Sequence, residues 1–361
     1  MSAAPGRSQA NSTQSPQGEG RGEGAPVNPR FVFVSHADSG EVTVLSMAVD
    51  GVLSKVETLI LGGTLMPMAL HPDGRHLYVV RRSEPMALIT LSINLQTGHL
   101  TCLSEASLPA SMAYLCTDPA GCHLLAASYP SHLLTVSPIG PEGAAGQVQQ
   151  TVPTGHNAHT VVFTPSGRHV LATNLGGAQV MQFDWHADAG QLSPNAVPVW
   201  LQRPGAGPRH LRFHPNGHVV YLLNELDATL DVLAFDTEKG TLSHLQTVPT
   251  VPPGFDGTPS AADLHLTPNG RFLYTSERAR STLACFTVNS ETGHVQALHH
   301  TPTETGPRGF AIDPTGEHLL AAGQLSHHLS RYRINPATGA LTLSQRVPMG
   351  LAPNWISFSV H

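Results

Sequence analysis

The sequence predicts an all-β chain folded as a seven-bladed β-propeller with four-stranded blades, and three observations carry that expectation. First, a Pro-x-Gly turn recurs between paired apolar runs, at Pro72, Pro119, Pro165, Pro215, Pro268 and Pro314, with successive prolines 46 to 53 residues apart. That spacing is the period of a propeller blade. Second, 34 Gly and 30 Pro with 12% charged residues suit many short strands and tight turns better than helices. Third, the two ends of the chain are complementary. Residues 31–34 read as a second strand lacking its first, and residues 353–358 as a first strand with nothing after it. Six turns plus one blade shared by both ends make seven, and pairing the ends removes the open edges of an unclosed array.

Taken in order, residues 1–29 are Gly, Ser, Gln, Pro and Ala with little to bury, and are expected to be a disordered tail. One domain, 30–361, follows. Each Pro-x-Gly turn joins the first two strands of a unit. A third strand, a turn such as Thr97-Gly98 or Thr338-Gly339, and a fourth strand complete most of them. The unit around Pro215-Asn216-Gly217 is the most informative. Arg209 and Glu225 are equidistant from Gly217, so an antiparallel hairpin is expected to set them opposite each other at its open end.

Bulk properties exclude several functions. A formal net charge of −6 lacks the basic face that nucleic acid or anionic membrane binding needs. No apolar run approaches the length of a membrane span and no secretory leader pattern begins the chain, so a cytoplasmic protein is expected. Cys102, Cys116, Cys122 and Cys285 show no CxxC and are read as free buried thiols. No HExxH or Cys/His spacing suggests a metal, and no cofactor is expected. A monomer or weak dimer is expected.

In a propeller, the loop entering each first strand and the loop leaving each second strand open on one face. Polar residues at those two places therefore converge in one funnel. The third unit offers His156 and His159, the fourth Arg209, His210, Asn224 and Glu225, and the fifth Asp263, Glu277 and Arg278. The sixth offers Arg308, Gln324, Ser326, His327 and His328, whereas earlier units offer chiefly Arg81 and Arg82. The site is thus expected off-axis, against the later blades. Arginines gathered in an acidic protein imply an anionic ligand. There is no Gly-x-Ser-x-Gly and no cysteine or lysine at a funnel position, which leaves acid–base and electrostatic chemistry with a carboxylate, a histidine and arginines.

The motifs Gly207-Pro208-Arg209-His210, Asn224-Glu225-Leu226, Ala262-Asp263, Gly306-Pro307-Arg308-Gly309-Phe310 and Ala321-Ala322-Gly323-Gln324 together resemble the seven-bladed lactonase family, across nearly everything after residue 30. The resemblance implies a lactonase acting on a small anionic lactone, with phosphorylated sugar lactone hydrolysis as the leading activity. The alternatives are a carboxy-muconate-type lactonising reaction and a non-catalytic binding platform. It also implies a site of His159, Arg209, Glu225 and Arg278. Glu225 is assigned as base, with Asp263 as its alternative, His159 as donor or acid, and Arg209 as clamp. Arg278, Arg308, Asp263, His327, His210, Asn224 and Gln324 are assigned to substrate binding.

Overall fold

A computed structural model describes residues 30–359. The tail at 1–29 lies outside the described residues. Twenty-eight strands form seven four-stranded antiparallel sheets. Six are consecutive in sequence. The seventh pairs Pro353–Phe358 with Arg30–His36, in a register running from Val32↔Phe358 to His36↔Pro353. Phe31 and Ser359 fasten this seam further: the Phe31 amide donates to Ser359 Oγ, and the Ser359 amide donates to the Phe31 carbonyl. The split-blade closure is therefore as the chain ends predict. Blades are numbered here after their Pro-x-Gly turns, with the split blade as the seventh.

Burial explains which runs became which strands. Second strands such as Val219–Asn224 are buried at every position, because neighbouring blades cover both faces, and they read as unbroken apolar runs. Outer strands such as Thr241–Pro249 alternate, with one face toward water. The core is a set of apolar layers between blades. One joins Phe33 and Val44 of blade 7 to Leu77 and Ile89 of blade 1, and another joins Val32 and Leu45 to Leu320 and Leu329 of blade 6. Tyr78, Tyr221 and Tyr274, all buried, reach across such layers, each donating its hydroxyl to a glycine carbonyl of the next blade. The Pro-x-Gly turns share one geometry. The glycine amide bonds the residue before the proline, and Gly217, at φ +75°, takes the left-handed conformation that glycine adopts without strain.

The feature that positions the site is a bulge repeated at the start of the inner strands of blades 1 and 3 to 7. In blade 4, Pro208 pairs with Asn224 but His210 pairs with Leu223, so Arg209 is an extra residue thrown out of the ladder. The same break frees His159 in blade 3, Arg308 in blade 6 and Asn354 in blade 7, and frees two residues each in blades 1 and 5. Equal distance from Gly217 consequently does not make Arg209 and Glu225 a ladder pair. The bulge shifts the register, and the two meet through their side chains instead. The thiols also differ from expectation. All four are free, but Cys102 and Cys122 are exposed and Cys116 is half-buried, which leaves Cys285 as the buried one.

Candidate active site

The bulged residues point into the top of the central channel. There Met66, Ala113, His159, Arg209, Arg308 and Asn354, one from each of six blades, ring a narrow cavity with His210, Asp263 and Trp355. Around it lies a second ring, made by the first residue after each second strand. The amides of Arg82, Leu175, Glu225, Arg278 and Gln324 all bond back to the loop entering their own blade, which fixes these residues at equivalent places. Close packing holds the rings together. A Cβ on Gly309 would lie 2.2 Å from the Asn354 carbonyl oxygen, so only glycine allows blades 6 and 7 to approach.

Glu225 sits between two arginines. Arg209 Nε donates to its Oε2 at 2.7 Å, and Arg278 Nη2 donates to its Oε1 at 2.7 Å. Burial alone would raise this carboxyl, but Arg209 and Arg278 outweigh it and hold it below the ordinary glutamate range. Arg209 is 2% exposed, and its Nη1 is taken by the Ala262 carbonyl and by His210 Nε2. Burial lowers it to about 10, still protonated at neutral pH, with Glu225 opposing the shift. Arg308 has no hydrogen bond or ion pair among the described residues. Burial, then repulsion from Arg209, Arg278 and Arg82, lowers it to about 9. Four arginines therefore gather about two carboxylates, Glu225 and Asp263, at the mouth of an acidic protein's channel.

The structure brings His159, Arg209, Glu225, Arg278 and Arg308 together as the sequence implied, and leaves Gln324 on the outer ring. It corrects other assignments. Asn224 turns away from the funnel and is fully buried, donating to Asp231 Oδ2 and Thr229 Oγ1 and accepting from Gln202. The strand alternates its faces, so when Glu225 looks inward Asn224 cannot. His327 is also structural. At φ +55° its Nδ1 accepts the Ala352 amide at 3.0 Å, as His132 accepts the Asn157 amide at 2.8 Å four blades away in the chain. Each ties one blade to the loop entering the next.

His210 lines the cavity, but both ring nitrogens are engaged. Nε2 accepts from Arg209, so Nδ1 carries the proton and donates to Asp263 Oδ1 at 2.7 Å. Burial, then Arg209, lowers its pKa to about 3 despite Asp263, so it is a neutral brace rather than a substrate ligand. Asp263 cannot be the alternative base. His210, His265 and the amides of Leu264 and Phe310 all donate to it. Against a burial effect that would raise it, the two histidines hold it well below the carboxylate range. His159 is buried with Nδ1 unpartnered among the described residues, leaving Nε2 for the cavity. Burial and then Arg209 keep the ring neutral, so it is not an imidazolium.

Sequence reasoning undervalued Arg82. It occupies the ring place of Glu225 and Arg278 but comes from blade 1, across the channel, with Nε on Ser111 Oγ at 2.9 Å and Nη1 on Met66 Sδ at 3.2 Å. Its neighbour Arg81 faces outward onto Glu105, the same alternation that separates Asn224 from Glu225. Arg82 thus adds one cation from across the channel to a site whose other charged groups come from blades 3 to 6. The signal was present, since Arg82 stands eight residues after Gly74 as Glu225 stands eight after Gly217. Among the described residues, His71, Asp73 and His76 form the His/Asp cluster with ligand-like spacing, on the opposite face. His71 donates from Nε2 to the Gly121 carbonyl and accepts the Asp73 amide at Nδ1, which leaves it no lone pair for an ion.

Comparison with known proteins agrees with this fold. Residues 31–358 match the family model described as "Lactonase, 7-bladed beta-propeller". The chain is 39% identical over 328 residues to a 6-phosphogluconolactonase of Pectobacterium carotovorum, covering 91% of this chain and 98% of that relative. To the 6-phosphogluconolactonase of Serratia proteamaculans it is 36% identical over the same length and coverage. The solved structure of a periplasmic gluconolactonase from Pseudomonas aeruginosa superposes with a TM-score of 0.86 at 26% identity, covering 92% of this chain and 99% of that one. Fold, funnel and similarity converge: the chain belongs to the seven-bladed β-propeller lactonase family.

Proposed function

We propose that this protein is a 6-phosphogluconolactonase, hydrolysing 6-phospho-D-glucono-1,5-lactone to 6-phosphogluconate. The observation that carries the reading is the imbalance of Arg82, Arg209, Arg278 and Arg308 against Glu225 and Asp263. Arg308 is left without a partner among the described residues, as a dianionic substrate requires. The names of the relatives support the same reading.

The reaction adds water to the C1 carbonyl and breaks the bond from C1 to the ring oxygen. Glu225, kept ionised by its two arginines, accepts the proton from the attacking water, since each clamped oxygen retains a lone pair. The oxyanion that forms on the carbonyl is held by neutral His159 through Nε2–H and by the Arg209 guanidinium. When the tetrahedral intermediate collapses, the ring oxygen leaves as an alkoxide and takes the proton back from the Glu225 carboxyl. This restores the carboxylate and balances the step. Arg308, with Arg278 and Arg82, is left for the phosphate.

A second reading, hydrolysis of an unphosphorylated aldonolactone, is favoured by the likeness to the Pseudomonas gluconolactonase. Assaying freshly generated phosphogluconolactone beside gluconolactone separates the two. A kcat/KM at least tenfold higher for the phosphorylated substrate is expected, and equal values would sink the phosphate assignment.

A further inference from the structure

Beneath the catalytic ring the channel is plugged and then widens again. The plug is three rings from three blades, Tyr114, His210 and Trp355. Their centroids lie 5.5 Å (Tyr114 to His210), 5.3 Å (Tyr114 to Trp355) and 6.2 Å (His210 to Trp355) apart, with steeply inclined planes. Below it, toward the Pro-x-Gly turns, lies a chamber of about 220 Å³, walled by Tyr114, Phe310 and Trp355 and carrying Arg212, His265 and Ser357. The chemistry above uses none of these three polar groups.

Arg212 is the anomaly. Its Nη1 donates to Tyr114 Oη at 2.6 Å and to the Leu211 carbonyl at 3.4 Å, and among the described residues it forms no ion pair. Nε and Nη2 make no hydrogen bond among the described residues, and Arg212 lines the chamber. The guanidinium is half-buried beside a neutral phenol, and the chamber's carboxylate, Asp263, attracts it without forming an ion pair. That carboxylate is not free to close on it. Asp263 already accepts from His210, His265 and two backbone amides. It does set a limit on charge, since a dianion beside it would be repelled. The aromatic walls suit a short carbon skeleton, and Ser357 with the free nitrogen of His265 can meet hydroxyl groups.

We propose that this lower chamber is a second binding site, which takes a small hydroxycarboxylate of single negative charge on the Arg212 fork. The ligand's carboxylate lies on Nε and Nη2, with its hydroxyls toward Ser357 and His265. The chamber is separate from the catalytic ring, and the proposal does not depend on which lactone is hydrolysed there.

Calorimetric titration of the full chain with gluconate, inorganic phosphate and glucose tests it. Gluconate is expected to bind the wild type at a site that is lost in Arg212→Met, with lactone hydrolysis by that variant unchanged when product is absent. Tyr114→Phe keeps the wall but frees the guanidinium, and is expected to weaken the second site about five- to tenfold. Phosphate should bind the chamber more weakly than gluconate, and glucose should not bind it at all. Gluconate binding unchanged in Arg212→Met, or glucose binding as well as gluconate, would overturn the proposal. If Arg212→Met does not fold, a wild-type crystal soaked in gluconate decides. Density on Arg212 supports the site and an empty chamber refutes it.

Discussion

Two arcs of the funnel share one backbone and differ in what they present. In blades 3, 4 and 6 the bulged position holds His159, Arg209 and Arg308. In blades 1, 2 and 7 the corresponding places hold Met66, Ala113 and Asn354, and Asn354 spends its amide on Ser35 and on the Leu65 and Ala352 carbonyls. The bulge therefore dictates direction and not chemistry. Reactivity resides in the side chains that one arc carries, while the other arc contributes shape, closure and a single distant cation, Arg82.

The harshest way to break this comparison is to remove the uncharged arc's inner strand. Deleting residues 354–361 takes away the strand that pairs with Arg30–His36 and exposes two sheet edges. Aggregation or loss of cooperative unfolding is expected by calorimetry, whereas deleting residues 1–29 should change neither. A truncated chain that melts like the intact one would show that closure does not depend on this seam.

Within the charged arc, Glu225→Gln keeps the shape and removes the base. A fall in kcat of about 10²–10⁴ with KM little changed is expected. Near-normal kcat would assign the proton to another group.

The arginines should show a gradient. Arg308→Met is expected to cost about 1.5–3 kcal/mol in binding, roughly ten- to a hundredfold in KM, for a phosphorylated lactone and much less for an unphosphorylated one. Arg82→Met, already bonded to Ser111, should show the same selectivity with a smaller loss of about 0.5–1.5 kcal/mol. Equal losses on both substrates would remove these residues from phosphate recognition.

An effect on stability rather than on catalysis should be common to both arcs. His36 in blade 7 and His210 in blade 4 are buried and neutral, with burial the first cause of pKa values near 4 and 3 against an ordinary 6.5. Below about pH 6.5 the unfolded chain takes up protons that the folded chain refuses. Stability is therefore fully present above that pH and is lost as pH falls toward the folded values. The limiting slope is about 1.4 kcal/mol per pH unit for each such histidine. Urea midpoints measured from pH 7 to pH 5 should fall, and less steeply in His36→Gln and His210→Gln. An unchanged slope in both variants would place the acid sensitivity elsewhere.

The ring, its blade count and its closing seam were legible because turn chemistry and apolar periodicity are local signals, repeated often enough to fix a register. So was the meeting of Arg209 with Glu225. Which member of a neighbouring pair faces the funnel was not. Asn224 and Glu225, or Arg81 and Arg82, differ by one step of a two-residue period. The phase is set where the strand meets its bulge, which depends on pairing across the hairpin. His210 and Asp263 were misassigned for a related reason. They are polar and correctly placed, but their partners come from neighbouring blades far away in sequence, so the fact that each is already engaged appears only when the ring is assembled.

The repeated bulge also bears on how such a protein changes its substrate. Each bulged residue stands outside the hydrogen-bonded ladder, so replacing its side chain leaves strand pairing intact. The channel mouth is in effect a row of interchangeable sockets on an invariant frame. Ala113, at the corresponding place in blade 2, is a socket filled by almost nothing beside the arginines of the cavity. A lineage, or an engineer, could fit a new donor, acid or aromatic there in one substitution, and selectivity for lactones could diverge while the ring that carries it stayed the same.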